Sequence, residues 1–378
     1  MVYLDYSATT PVNPEVLKTF DRVCNTYIGN PNSLHRLGLE SKHLIQEATN
    51  QILQLLALAD HEIIYTSGSS EANNLAIKGI CLKYPNRGKE IITTPLEHSS
   101  ILEPLHFLEQ FGYQVKYVNL LADGTVDLDD LKEKMTDQTI LVSIASVSSE
   151  TGILQPIGEI GQYIRTYPKC FFHVDMTQSM GKVPVSLQYV DLASFSAHKF
   201  YGLKGIGCLV KLRKIELEPL IHGGESTTLY RSGTPAVALI ASLAKALRLA
   251  LVDMDSKLIQ VTQKQQALWQ FLKQYEAVEI NSTSQSIPHI LNFSLKGVKP
   301  ETFLHALEDD EIYLSTKSAC SIHQVTSASV LALTHDQARA QTSLRISLSH
   351  LTTEEELKQF QQAFAKNYKR FIDGANVS

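Results

Sequence analysis

Three runs, Thr139-Ile140-Leu141-Val142-Ser143-Ile144, Phe171-Phe172-His173-Val174 and Leu192-Ala193-Ser194-Phe195, decide the fold class. Each is a short β-branched or aromatic segment, and helix-like stretches separate them, the pattern of a parallel sheet covered by helices. Working outward, Glu62-Ile63-Ile64-Tyr65-Thr66, Glu90-Ile91-Ile92-Thr93 and Val115-Lys116-Tyr117-Val118 extend the series toward residue 60. Gly205-Ile206-Gly207-Cys208-Leu209-Val210 supplies a seventh strand. Past it, Thr234-Pro235 opens a long amphipathic segment, Val237 to Tyr275, that reads as a helix bridging to a second unit. From about residue 276 the pattern changes, with strands Ile290-Leu291-Asn292-Phe293-Ser294 and Ser343-Leu344-Arg345-Ile346-Ser347 among helices. The expected fold class is therefore α/β, a mainly parallel seven-stranded sheet covered by helices, plus a smaller α+β domain.

The 378 residues exceed a usual single core, which favours two domains. Hydrophobic residues at 44% and charged residues at 19% describe an ordinary globular chain. A net charge of −5 argues against a broad basic clamp for nucleic acid, and no apolar run approaches membrane-spanning length. Asp5 stands where a signal peptide needs an apolar core, so the chain reads as cytoplasmic. Cys24, Cys81, Cys170, Cys208 and Cys320 are scattered without C-x-x-C spacing, which indicates neither zinc nor a disulfide framework.

In open α/β sheets ligands collect where strands end, so the residues after each strand carry the functional reading. Ser196-Ala197-His198-Lys199 follows the sixth run and offers an amine that can form a Schiff base with a carbonyl cofactor. Taken alone, such a lysine is more often solvated. His173-Val174-Asp175 ends a buried strand in an acid, which suits a protonated pyridine nitrogen or, more simply, a helix cap. Thr66-Ser67-Gly68-Ser69-Ser70 leads a strand into a helix and suits a phosphate, although a serine there is often only an N-cap. His98 follows the second run, where an imidazole can lie on a ring and move protons. Cys320 lies in a polar stretch rich in small residues, the setting of a reactive thiol, whereas the other cysteines read as small hydrophobes. Arg345, inside an apolar strand, needs an anion: a substrate carboxylate or an internal salt bridge.

In this order the elements resemble the class V branch of the fold-type I pyridoxal-phosphate enzymes, specifically cysteine desulfurases of the NifS/IscS type. The resemblance spans nearly the whole chain. It rests on Tyr3-Leu4-Asp5-Tyr6-Ser7-Ala8-Thr9-Thr10-Pro11, Gly29-Asn30-Pro31, Thr66 to Asn74, Glu97-His98, His173 to Gln178, Ser196 to Lys199, Arg231-Ser232-Gly233-Thr234 and Ser318-Ala319-Cys320. It implies a homodimer with a large cofactor domain over residues 13–250 and a small domain from residues 1–12 and 251–378. Lys199 would hold pyridoxal phosphate covalently, Asp175 would pair with its ring nitrogen, Gln178 with its ring oxygen, and His98 would stack on the ring. Ser69, Ser70, Ser196 and His198 would contact the phosphate, with Thr234 reaching across from the other subunit. Arg345 and Asn30 would hold the carboxylate of L-cysteine.

The implied chemistry has the freed Lys199 move the substrate α-proton, after which the Cys320 thiolate takes the sulfur as a persulfide and alanine remains. Ser321 to Ser329 resembles the segment of long-loop desulfurases that hand sulfur directly to an acceptor, either an iron–sulfur scaffold or a tRNA-thiolating enzyme. Departures are local. Ser148-Ser149-Glu150 replaces the family's Asn-Asn-Glu, so Ser149 is left to donate one hydrogen bond to the cofactor; the usual histidine–triple-glycine segment reads His222-Gly223-Gly224-Glu225-Ser226, and Ala197 and Lys317 stand where glycines are usual. A cation at Lys317 would lower the Cys320 thiol pKa. Two alternatives share most of these residues: another class V reaction, such as aminotransfer or selenocysteine cleavage, and a regulatory homologue with weakened catalysis. Cys320 separates the first from a desulfurase.

Overall fold

A computed structural model describes residues 1–316 and 326–373. The strands, in chain order, are β1 (Val2–Tyr3), β2 (His61–Thr66), β3 (Glu90–Thr93), β4 (Gln114–Tyr117), β5 (Thr139–Ala145), β6 (Phe171–Asp175), β7 (Leu192–Ser196) and β8 (Gly207–Leu212). They continue with β9 (Val278–Ile280), β10 (Ile290–Leu295), β11 (Ile312–Tyr313) and β12 (Ser343–Ser347). The seven-stranded sheet has the order β2-β8-β7-β6-β5-β3-β4. Its pairs are parallel except those of β8, which runs antiparallel to β7 and β2. Every residue of β5, β6 and β7 is buried, as central strands covered on both faces must be.

Four early helices follow from the same patterning: α1 (Pro14–Thr26), α2 (Arg36–Leu55), α3 (Ser69–Lys83) and α4 (Ser99–Glu109). One face of the sheet packs Ile64, Ile140 and Leu209 against Leu75, Ile80 and Leu105 of α3 and α4. The other packs Val142, Phe172 and Phe195 with Ile52 of α2 and with Leu243 and Leu247 of the helix Val237–Leu251. A separate core joins the chain ends. Val2 and Leu4 pack there with Phe293, Phe303, Leu344, Phe360 and Phe364, around the small sheet β12-β10-β9 and the pair β1-β11.

The structure corrects three sequence expectations. The segment Val237 to Tyr275 is two helices, Val237–Leu251 and Met254–Leu272, because Asp253 adopts a left-handed conformation at φ 55°. Lys257 Nζ covers the exposed end of the first by donating to the carbonyls of Leu249 and Val252, at 2.8 and 2.7 Å. The seventh strand starts at Gly207, since Gly205 turns the chain at φ 84°. Cys24 is exposed on α1, while Cys81, Cys170 and Cys208 are core residues whose thiols burial pushes up. Among the described residues no helix is long and apolar enough to cross a membrane.

Candidate active site

The C-terminal ends of the sheet strands open onto a cavity of about 190 Å³. Ser69 and Ser70 from the start of α3, His98 after β3, Ser149 after β5, Asp175 and Gln178 after β6, and His198 and Lys199 after β7 all line it. Arg345 reaches it from β12, and Ser7 and Ala8 close it from the N-terminal segment. Nine residues singled out in the sequence therefore share one cavity. Ser196, Thr234 and Asn30 do not line it. Cys320 and Lys317 lie outside the described residues, as does most of the stretch that follows Cys320.

One end of the cavity is built by β2 running into α3. Gly68, not a serine, precedes the helix, so Ser69 and Ser70 begin it with their own backbone N–H groups free of a side-chain cap at Gly68. Ser196 Oγ accepts the Ser69 N–H at 2.6 Å; it steadies the helix start from behind. Gly207 makes this junction possible, because a Cβ there would stand 2.8 Å from the Gly68 backbone and 2.6 Å from the Phe195 carbonyl. His198 sits nearby with Nδ1 3.2 Å from Thr9 Oγ1. Burial and the Lys199, Lys204 and Lys182 cations hold its pKa down, to about 4, so the ring is neutral at neutral pH.

Asp175 ends β6 as a buried carboxylate. Its Oδ1 accepts the Thr177 N–H at 2.8 Å, closing the turn, and its Oδ2 accepts Asn73 Nδ2 at 2.9 Å. Asn73 was not singled out in the sequence. It also donates to Ser100 Oγ at 2.9 Å and accepts the Ser194 hydroxyl, so every polar atom of its amide is used. The direction of this chain fixes a tautomer. Ser100, receiving from Asn73, donates its hydroxyl to His98 Nδ1 at 2.9 Å, and the Ser100 N–H points at the same nitrogen at 3.1 Å. His98 Nδ1 is thus an acceptor, which leaves the ring proton on Nε2. Glu97, next to it, is wholly buried and its pKa is raised to about 8 by burial, against the opposing pull of the Thr94 hydroxyl and Ala145 N–H.

Lys199 Nζ donates to the carbonyls of Ser7 and Ala8, at 2.6 and 2.8 Å. These acceptors were equally invisible in the sequence reading, being backbone atoms. Gln178 donates from Nε2 to the Ser7 carbonyl at 3.0 Å and accepts Lys182 Nζ on Oε1 at 2.7 Å. Arg345, 1% exposed, donates from Nη2 to Asp5 Oδ1 at 2.8 Å and from Nη1 to the Ser149 carbonyl at 2.9 Å. The internal salt bridge considered from sequence is therefore present. It leaves Nε unpartnered, and Ser7 Oγ and Thr177 Oγ1 in the same lining are likewise buried without a partner.

Orphaned polar atoms in a cavity are costly unless something binds there. The donor set matches pyridoxal phosphate: a helix start and hydroxyls for its phosphate, a buried carboxylate with neutral partners for its ring nitrogen, and a lysine amine for its carbonyl carbon. Fold and cavity together define the scaffold of the fold-type I pyridoxal-phosphate enzymes.

Within that class the chain belongs to the aminotransferase class-V family, whose model matches residues 2–360. It is 40% identical over 377 residues to a "NifS/IcsS protein homolog" of Lactobacillus delbrueckii subsp. bulgaricus, covering 98% of each chain. It is 38% identical over 361 residues to a "Cysteine desulfurase IscS" of Dictyoglomus turgidum, covering 94% of this chain and 91% of that protein. A solved "NIFS-LIKE PROTEIN" superposes with a TM-score of 0.91 at 32% identity, over 97% of this chain and 99% of that one.

Proposed function

We propose that the protein is a pyridoxal-phosphate-dependent cysteine desulfurase, in which L-cysteine and the Cys320 thiol give L-alanine and a Cys320 persulfide. The observation that carries this reading is the convergence of the Lys199 amine, the Asp175 carboxylate, the α3 start and the Arg345 guanidinium on one cavity. When bound, pyridoxal phosphate supplies an electron sink for the substrate's Cα.

The chain's own residues do the rest. Ser69 and Ser70 would hold the phosphate with their hydroxyls and the Ser70 backbone N–H, the Ser69 N–H being given to Ser196 Oγ, while neutral His198 would add a hydrogen bond. Asp175, held by Asn73 and Thr177, would keep a proton on the ring nitrogen. His98, its Nδ1 tied to Ser100, would cover the ring, and Gln178 would donate to the ring oxygen. Ser149 supplies one polar contact where the family has an asparagine. Lys199 would hold the cofactor through its amine and, once free, would move the proton at the substrate Cα. Arg345, fixed by Asp5, holds the substrate carboxylate together with Asn30. Cys320 forms the new S–S bond as the substrate's C–S bond breaks, and alanine leaves with the proton from the thiol.

The reading carries a homodimer, in which the exposed Thr234 of one copy completes the phosphate site of the other. It assigns residues 13–250 to the cofactor domain and residues 1–12 with 251–378 to the small domain. It makes the protein cytoplasmic, with an iron–sulfur scaffold or a tRNA-thiolating enzyme as sulfur acceptor, and with neither nucleic acid nor membrane as a direct partner. The test is to incubate the purified protein with pyridoxal phosphate and L-cysteine, quantify alanine and sulfide, and read the intact mass. Wild type should form alanine and gain one sulfur atom, and Cys320→Ser should do neither. Turnover that survives Cys320→Ser and needs a keto acid would assign an aminotransferase instead.

A further inference from the structure

The reading above makes no use of Lys182, the most buried cation near the cavity after Arg345. It stands four residues after Gln178 in the turns that follow β6, is 8% exposed, and its Nζ donates to Gln178 Oε1 at 2.7 Å. Among the described residues no carboxylate lies within ion-pair distance of it. The charges that act on it are two other cations, Lys199 and Arg345, and with burial they push its pKa down, to about 7. Behind it lies a second cavity of about 350 Å³, lined by Lys257, His289 and His350 and by no acidic residue. A buried ammonium without a counter-ion is expensive, and among the described residues the hydrogen bond found for it leads toward the first cavity.

That hydrogen bond decides which way round an amide sits. A primary amide can be turned to present oxygen or nitrogen, but an ammonium has only hydrogens to give. Gln178 must therefore turn its oxygen to Lys182 and its nitrogen away. Nε2 carries two hydrogens; one goes to the Ser7 carbonyl at 3.0 Å, and Gln178 itself lines the first cavity. We propose that Lys182 is a positioning residue: it locks the Gln178 amide with its second N–H toward the ring oxygen of bound pyridoxal phosphate. This rests on the cofactor reading above. Ammonium, amide and anionic ring oxygen then form one relay, and the negative oxygen is the counter-charge that the protein around Lys182 does not provide.

The experiment is a pH titration of the visible absorption band of the cofactor-loaded protein, in wild type, Lys182→Met, Gln178→Met and the double variant. Losing a donor and a positive charge beside the ring oxygen makes the cofactor hold its own proton more tightly. The Lys182→Met midpoint should rise by about one pH unit, a tenfold change in proton affinity, with weaker binding of pyridoxal phosphate. The double variant should shift no further than Gln178→Met, because Lys182 acts through that amide. An unmoved midpoint in Lys182→Met, or additive shifts in the double variant, would overturn the proposal. Absence of any visible band in wild type would instead remove the cofactor reading, and the relay with it. Should Lys182→Met fail to fold, a crystal structure of the loaded wild type decides: Gln178 Nε2 within hydrogen-bond distance of the ring oxygen supports the relay, and any other partner for that N–H refutes it.

Discussion

Asn73 Nδ2 stands 2.9 Å from Asp175 Oδ2, a helix residue holding the carboxylate at the end of a strand 102 positions later in the chain. The same amide binds Ser100 and Ser194, so α3, α4, β6 and β7 meet at one side chain. Asn73→Ala strands three buried partners at once. It should cost about 1–3 kcal/mol in urea unfolding and weaken pyridoxal phosphate binding, whereas Asn74→Ala, which removes one local bond from a half-buried side chain to the Ser70 carbonyl, should do much less of both. Equal effects of the two substitutions would contradict the role given to Asn73.

Arg345→Lys keeps the charge but loses the fork that binds Asp5 and the Ser149 carbonyl together. Loss of a charge-assisted contact to the substrate carboxylate should lower kcat/KM for L-cysteine by about 1.5–3 kcal/mol in transition-state terms, mainly through KM. Steady-state kinetics measure this directly. An unchanged KM would take Arg345 out of substrate binding and leave it the structural partner of Asp5.

Gly207→Ala puts a methyl group against backbone on two sides, at Phe195 and Gly68. Neither neighbour can swing aside as a side chain would, so β8 must move away from the α3 start. The expected cost is about 1–3 kcal/mol of stability and a loss of cofactor affinity read by fluorescence titration. Gly158→Ala is the control: nothing lies within 4 Å of its Cβ position, and it sits in the helix Ile157–Ile164. That change should stabilise by about 0.5–1 kcal/mol and leave affinity alone.

His289 is fully buried with Nδ1 unpartnered, and burial, Lys182 and His350 hold its pKa down to about 3. In the unfolded chain it titrates near its ordinary value of 6.5, so between those limits the unfolded state binds more protons. Stability from keeping it neutral is present above pH 6.5 and is lost as pH falls toward 3. His289→Gln should therefore lose less stability than wild type on acidification. Urea unfolding at pH 8, 6.5 and 5 would show the gap between the two proteins closing; a constant gap would sink the idea.

Much of this was readable in the sequence for a physical reason. β5, β6 and β7 are buried on both faces and so consist mainly of apolar, aromatic or small residues, with the polar Ser143, His173 and Ser194 bonded to one another, and the candidate site residues sit at or just past the strand ends, where a parallel sheet presents its loops. What escaped was set by tertiary contact. Asn73 and Asn74 are adjacent and look alike; only the packing of α3 decides which is buried. The acceptors of Lys199 are carbonyls, which any residue supplies. The break at Asp253 needs one left-handed residue that no nearby glycine announces, and the Lys257 contacts that close the helix end belong to the following helix.

The N-terminal segment has a consequence for the order of folding. Asp5 meets Arg345 across 340 positions of chain, and Ser7 and Ala8 accept the Lys199 amine across more than 190. Contacts between positions so far apart in the chain form late in folding, so this wall of the cavity closes after the sheet it covers. The large sheet does not depend on those contacts, yet the cavity stays open on one side until β12 and the residues around Asp5 have docked. Capture of a reactive aldehyde by Lys199 is thereby tied to the docking of the segment whose carbonyls hold its amine.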